Sequence, residues 1–285
     1  MEGIIVIDKP IGITSFDVIR VLRRNLKERR IGHTGTLDPL ATGILVICVG
    51  KATKLAQDIE GYEKEYVADL ELGFKTDTYD IEGKVLAKVE EFNISYENFE
   101  ETLQTFKGDI KQIPPMYSAI KVDGKKLYEL AREGVEIERK ARDVSIKNLE
   151  TISFDGIKAK IDCTVSKGTY IRSLIYDLGE KLGTFATMTG LRRTRVGEED
   201  LARAFTLEAI EKMASENDFS FLVSIEDYFK FPKVDIEDEN DLKLFVNGQR
   251  CKKRINEGKY RVYSKNNFIG LGEVTKGLLK GYKYY

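Results

Sequence analysis

The sequence has one histidine, His33, three cysteines, five prolines and no tryptophan. Cys48, Cys163 and Cys251 are odd in number and far apart, and no second histidine accompanies them, so neither a disulfide framework nor a zinc site is indicated. A serine or cysteine hydrolase is poorly served, because the lone histidine has no evident nucleophile partner. The phosphate-binding pattern GxxxxGK[ST] is absent, since Gly50-Lys51 is followed by alanine and lacks the upstream glycine. No apolar stretch approaches the ~20 residues of a membrane span, and the start MEGIIVIDKP lacks the features of a signal peptide. A cytoplasmic protein with no membrane span is therefore expected. What the chain does have is 42% hydrophobic residues, enough for a sizeable core, and 33% charged residues that nearly cancel to −1.

The stretch over residues 32–43, GHTGTLDPLATG, holds His33 and Asp38 among glycines, threonines and a proline. It precedes ILVICV at 44–49, an apolar run that fits a strand buried on both faces. A polar loop at the mouth of a buried strand suits chemistry, because the strand positions what the loop exposes. The same residues also suit a plain turn in which Asp38 caps its own backbone beside Pro39.

Along the chain, GIIVI at 3–7 predicts a first buried strand, and Thr14-Ser15 offers an N-cap. Phe16, Ile19, Leu22 and Leu26 then recur at helical spacing, with Arg20, Arg23, Arg24 and Lys27 on another face. That basic stripe, offset only by Glu28, suits either a phosphate backbone or a solvated surface. In YVADLEL, Tyr66, Ala68, Leu70 and Leu72 share the core face of a strand, where a tyrosine is ordinary packing. KTDTYDIEGK reads as a loop, and 95–106 as an amphipathic helix. The segment QIPPMYSAIKVDGKKLYELAREG interleaves Tyr117 and Tyr128 with Lys121, Lys125, Lys126 and Arg132, a pattern that can clamp RNA by stacking and phosphate contact.

IKAKIDCTV alternates from Ile157 as a half-buried strand should, and a helix follows until Gly183. Arg172 falls in the first turn of that helix, where a cation opposes the helix dipole. It is compensated either by a buried carboxylate, for which Asp38 is the candidate, or by reaching a surface acid. At ~4 Å and an effective dielectric near 20, the buried pair is worth on the order of 4 kcal/mol before desolvation. Residues 208–231 look helical up to Pro232, after which the Lys- and Arg-rich turns and short alternating runs read as a small all-β module.

Taken together, DKPIGITSFDVI, GHTGTLDPLATGIL, GYEKEYVADLELGFKTDTYDIEG, PPMYSAIKVDGKKLYELAREG, GTYIRSLIYDLGEKLG and GLRRTRVGEE resemble, in order, the motifs of the TruB family of tRNA pseudouridine synthases. The resemblance implies that Asp38 is the catalytic aspartate, Tyr66 the tyrosine that stacks on the target base and is a candidate for taking the C5 proton, and Arg172 the partner of the aspartate. It further implies that His33 helps hold the flipped-out nucleotides and that Leu191 packs near the base. Lys9 and Pro10 fall in a supporting motif, and Lys9 is also grouped with the RNA-contacting set of Tyr117, Lys121, Arg20, Arg23 and Arg24.

The expected fold is α+β. A catalytic domain over 1–231 is built on a mostly antiparallel sheet and carries an RNA-contacting insertion at about 110–143. A β-rich domain like the PUA module follows over 232–285. The activity the resemblance implies is isomerisation of a T-loop uridine of tRNA to pseudouridine by a monomer, a reaction for which a carboxylate and a proton acceptor suffice and no metal or cofactor is expected. Two rival readings are the catalytic subunit of an RNA-guided pseudouridine synthase and an RNA-binding or tRNA-folding protein.

Overall fold

The structure is a computed structural model that describes residues 1–122 and 124–284. Asp123, within the expected insertion, and Tyr285, at the end of the expected C-terminal domain, lie outside them. Strand β1 (Gly3–Lys9) leads to helix α1 (Ser15–Leu26), whose N-cap Thr14 forms a reciprocal capping box with Asp17. Strands β2 (Ile31–His33) and β3 (Ala41–Val49) flank the GHTG loop. A 3-10 turn (Gly50–Leu55) and α2 (Ala56–Glu60) return the chain to β4 (Lys64–Leu72), where burial alternates as its sequence demands. The short hairpin β5 (Phe74–Thr76) and β6 (Val85–Lys88) comes next, then α3 (Tyr96–Gln104) and β7 (Gly108–Gln112). Within the insertion, β8 (Lys121–Val122), β9 (Lys125–Lys126) and α4 (Leu127–Arg132) precede the long strand β10 (Arg142–Phe154).

Strand β11 (Lys158–Val165), α5 (Ile171–Leu182), β12 (Ala186–Val196) and β13 (Glu199–Asp200) complete a nine-stranded sheet. Its main order is β1-β3-β12-β4-β11-β10-β7. Every pairing in it is antiparallel except β3 with β12, where Leu191 lies beside Ala41. That parallel junction sits directly after the loop bearing Asp38. Gly43 makes it possible: its φ is 96°, and a Cβ there would lie 2.2 Å from the backbone oxygen of Arg193. On α5, Gly179 has the same purpose, since a Cβ would meet the nitrogen of Ala186 at 2.1 Å. The helix that begins at Ile171 therefore lies directly against β12.

One face of the sheet buries Leu45, Ile47 and Val49 with Tyr66, Ala68 and Leu70 under α1, α3 and α5. The opposite face buries Ile44, Val46 and Cys48 with Ala52, Leu55 and Ile59, so β3 is covered on both sides. Helices α6 (Leu207–Ser215) and α7 (Ile225–Tyr228) precede a five-stranded sheet made of β14 (Lys233–Asp235), β15 (Arg250–Lys252), β16 (Gly258–Ser264), β17 (Asn267–Thr275) and β18 (Leu278–Tyr284), with α8 (Glu239–Val246) packed on it. Leu271 of β17 joins the second core, and Lys259 pairs with Asp58 at 2.9 Å, so this sheet is docked on the larger one.

Four expectations are corrected. Residues 208–231 do not form one helix: Asn217 takes a left-handed φ of 59°, Phe221 turns back into the core, and Val223 pairs with Ile4 of β1. The last module is not all-β, since α8 crosses it. Phe16 is 53% exposed, and the core face of α1 is Val18, Ile19, Leu22 and Leu26 instead. Ile157 is also exposed, because β11 begins one residue later.

Candidate active site

The loop over residues 34–40 is anchored at both ends and in the middle. Thr34 donates its N–H to the carbonyl of Val46, and Ala41 donates to that of Asp38, both at 3.0 Å. Ser15, the first residue of α1, accepts from the Leu37 N–H at 2.8 Å and donates to the Leu37 carbonyl at 3.0 Å. Gly12 donates to the Pro39 carbonyl at 2.8 Å. Lys9, at the end of β1, is fully buried, and its ammonium donates to the carbonyls of Pro10 and Ile13 at 2.8 Å and of Pro39 at 3.5 Å. Burial, offset in part by Asp38, lowers its pKa to about 8. Lys9 thus braces the loop and is removed from the RNA-contacting set, because no part of it reaches solvent. The Asp38 carboxylate projects from this braced loop with 36% of its side chain exposed.

Behind Asp38 stands Arg172, in the first turn of α5 with its side chain only 6% exposed. Its Nη2 reaches Asp38 Oδ2 at 3.0 Å and the Tyr117 carbonyl at 2.8 Å. Its Nη1 reaches Asp80 Oδ2 at 3.3 Å and the Thr78 carbonyl at 2.9 Å. The cation that opposes the helix dipole is thus met by two carboxylates, and the alternative of a surface acid falls away. Asp80 was hidden in a stretch read only as a loop. Its Oδ1 accepts from the Thr78 hydroxyl at 2.7 Å and the Glu82 N–H at 3.1 Å. Burial raises its pKa above the ordinary carboxylate value, against the pull of Thr78 and Arg172. Burial also raises that of Glu82, helped by Asp80 and Asp38.

On the neighbouring strands Tyr66 of β4 lies opposite Arg193 of β12, and Leu191 lies opposite both Ala68 and Ala41. Tyr66 is 8% exposed, and Leu191 is half-buried. Arg193 was not singled out from GLRRT, and a second arginine beside Arg192 carries no sequence signal of being inside. It is 2% exposed and donates to the carbonyls of Ile44 at 2.6 Å and Gly35 at 3.1 Å and to the Tyr66 hydroxyl at 3.4 Å. His33 closes β2, and its Nδ1 accepts from the Gly35 N–H at 3.4 Å, which puts the proton of the neutral ring on Nε2. Burial, with Arg193 second, lowers its pKa, so the ring is neutral at neutral pH.

Comparison with known proteins matches this chain from near its start to near its end. Residues 23–171 match the TruB family pseudouridylate synthase N-terminal domain, 172–225 the tRNA pseudouridylate synthase B C-terminal domain, and 232–282 the C-terminal domain described as pseudouridine synthase II TruB. The chain belongs to the TruB family. It is 54% identical over 288 residues to the tRNA pseudouridine synthase B of Fusobacterium nucleatum, covering all of both chains. It is 45% identical to that of Clostridium tetani, covering 97% of this chain and 96% of the other. Its fold is that of an H/ACA RNP bound to a substrate RNA containing 2′-deoxyuridine (TM-score 0.72, 23% identity, 99% of this chain and 84% of that one). The same fold appears in the archaeal box H/ACA sRNP Nop10-Cbf5 complex (TM-score 0.71, 22% identity, 99% and 85%).

In this TruB chain the remaining sequence-predicted residues lie around the site to different depths. Tyr117 is half-buried and supplies a carbonyl to Arg172, while Lys121 is exposed on β8. Arg20, Arg23 and Arg24 are exposed on α1, and the first two flank the Phe16 ring at 5.5 and 5.8 Å. Glu28 is not their only offset: Asp17 pairs with Arg20, and Glu211 of α6 pairs with Arg24 at 2.9 Å. Among the described residues no group of three His, Cys, Asp or Glu side chains could hold a metal ion, and no helix is long and apolar enough to cross a membrane.

Proposed function

We propose that this protein converts the T-loop uridine of tRNA to pseudouridine, with Asp38, Tyr66 and Arg172 as its catalytic set. The observation that carries the reading is the Asp38 carboxylate, a third exposed yet tied at 3.0 Å to a buried Arg172, in a chain that belongs to the TruB family. The reaction breaks the N1–C1′ bond, turns the base and joins C5 to C1′ with no redox change. An ionised carboxylate serves it either as nucleophile at C1′ or as base toward the sugar. Arg172 aims that carboxylate, and Asp80 holds Arg172 from behind. Tyr66 stacks on the base and takes the C5 proton, and Leu191 packs against the base edge.

The uridine must leave its stack at a cost of a few kcal/mol, which contacts from His33 and the basic segments offset. Tyr117 and Lys121 of the insertion at 110–143 and Arg20, Arg23 and Arg24 of α1 contact the tRNA, the arginines through its phosphates. Residues 1–231 form the catalytic domain, and 232–285 form a PUA-like RNA-binding domain. The protein acts as a monomer in the cytoplasm, beside its tRNA.

The test is incubation with an unmodified tRNA transcript tritiated at uridine C5, with mapping of the modified position. Release confined to the T-loop uridine, lost in Asp38→Asn while tRNA binding persists, is the expected result. Release elsewhere, or near-normal activity of Asp38→Asn, refutes the assignment. No release from a transcript that still binds shifts the reading to a guide-dependent enzyme or an RNA-folding protein.

A further inference from the structure

Arg193 has no task in that mechanism. Among the described residues no carboxylate pairs with this 2% exposed guanidinium, whose partners are the carbonyls of Ile44 and Gly35 and the Tyr66 hydroxyl. Arg172, 5% exposed, has Asp38 and Asp80. An unpaired cation in a low-dielectric interior is costly to keep, and it strongly favours any negative charge that forms beside it.

The surroundings do not cancel it. Lys9 on β1, His33 on β2 and Lys64 on β4 are each pushed toward their neutral forms, with Arg193 among the causes. Cys163 of β11, opposite Tyr66, is held as a thiol by burial. The acids whose fields reach these groups are Asp38, Asp17 and Glu82 at Lys9, Glu60 at His33 and Lys64, and Asp162 and Glu65 at Cys163, and none of them is bonded to Arg193. The group in direct contact with Arg193 that can become an anion is the Tyr66 hydroxyl, at 3.4 Å. Its oxygen accepts the guanidinium N–H, so the phenolic proton points away from Arg193.

Resting on the reading above, we propose that Arg193 is a positioning residue that orients the Tyr66 hydroxyl and stabilises its phenolate, which makes Tyr66 the acceptor of the C5 proton. Tyr66 first gives its phenolic proton to water; after C5 has joined C1′, the C5–H bond breaks and its proton passes to the phenolate oxygen of Tyr66. The freed electron pair forms the C5–C6 double bond, and the C6–N1 π pair moves to N1, which takes a proton from water. The hydroxide left behind removes the proton from Tyr66, and the phenolate returns.

The experiment is single-turnover conversion of the tRNA transcript across pH by wild type, Arg193→Gln and Arg193→Lys, each also with 3-fluorotyrosine, a more acidic phenol, at position 66. Wild-type release of tritium tests the underlying reading, and the variants test this one. Arg193→Gln is expected to lose about 10- to 100-fold near neutral pH, with the limb on which rate rises with pH displaced upward by at least about 1 pH unit and tRNA affinity held within about 3-fold. Arg193→Lys, which keeps the charge, falls between, and 3-fluorotyrosine restores about 10-fold in either variant. A loss that is equal at every pH and unmoved by 3-fluorotyrosine assigns Arg193 to support alone and overturns the proposal. Should Arg193→Gln not fold, judged by circular dichroism and tRNA binding, Arg193→Lys gives the same decision.

Discussion

Replacing Arg172 by methionine keeps much of the volume and apolar stem and removes the charge. In the wild type that charge faces Asp38 at 3.0 Å and Asp80 at 3.3 Å. Asp38 is 36% exposed and regains water when its partner is lost, whereas the Asp80 side chain is 6% exposed and cannot. Removing one partner of a buried pair costs ~3–5 kcal/mol, and the solvation of Asp38 favours the lower end. For a chain of this size about 3 kcal/mol corresponds to a fall in Tm of roughly 5 °C.

The pH dependence carries the sign. The pKa of Asp80 is already raised by burial and opposed by Arg172, so it rises further in the variant. An acid with a raised folded pKa makes the folded state bind a proton more tightly, so stability is present at low pH and lost as pH rises through that pKa. The penalty of Arg172→Met is therefore larger at about pH 8 than at about pH 5, because acidification favours the protonated form of Asp80. Urea unfolding of both proteins at the two pH values measures it. A penalty below about 1 kcal/mol near pH 8, or one that grows on acidification, refutes the argument that Arg172 compensates a buried acid.

Asp38→Asn leaves Arg172 with Asp80, so stability is expected to fall by no more than about 1 kcal/mol while tritium release is abolished; unfolding and activity measured on one preparation decide. Gly43→Ala sets a methyl 2.2 Å from the Arg193 carbonyl oxygen at a φ of 96°, and a loss of at least about 2 kcal/mol, seen by thermal melting, is expected. Lys64, whose pKa burial lowers to about 8, gives the folded state fewer protons than the unfolded one, so wild type gains stability relative to Lys64→Met as pH rises from about 8 to about 10; parallel curves would contradict this. Arg23→Ala and Arg24→Ala are expected to change stability by less than about 1 kcal/mol and each to reduce the slope of log K for tRNA against log salt by about 1, read by filter binding.

Much of the architecture was legible in patterns of period two and 3.6. The alternation in YVADLEL placed Tyr66 inward, Thr14-Ser15 marked the start of α1, and Gly183 marked the end of α5. Such signals are local, because burial of one face repeats along the chain. The helix expected over 208–231 failed where a single left-handed Asn217 broke it, and Phe16 failed because an apolar residue can stack on arginines instead of entering the core. By itself the sequence determined several of the strands and helices, the loop bearing Asp38 and, through several separated motifs, the family. Only the tertiary structure decided which charges meet. Asp80, Arg193 and the burial of Lys9 depend on how the 76–83 turn, β12 and β1 converge on that loop. Charged residues look alike in sequence, and long-range packing alone determines whether they face water, a carbonyl or an opposite charge.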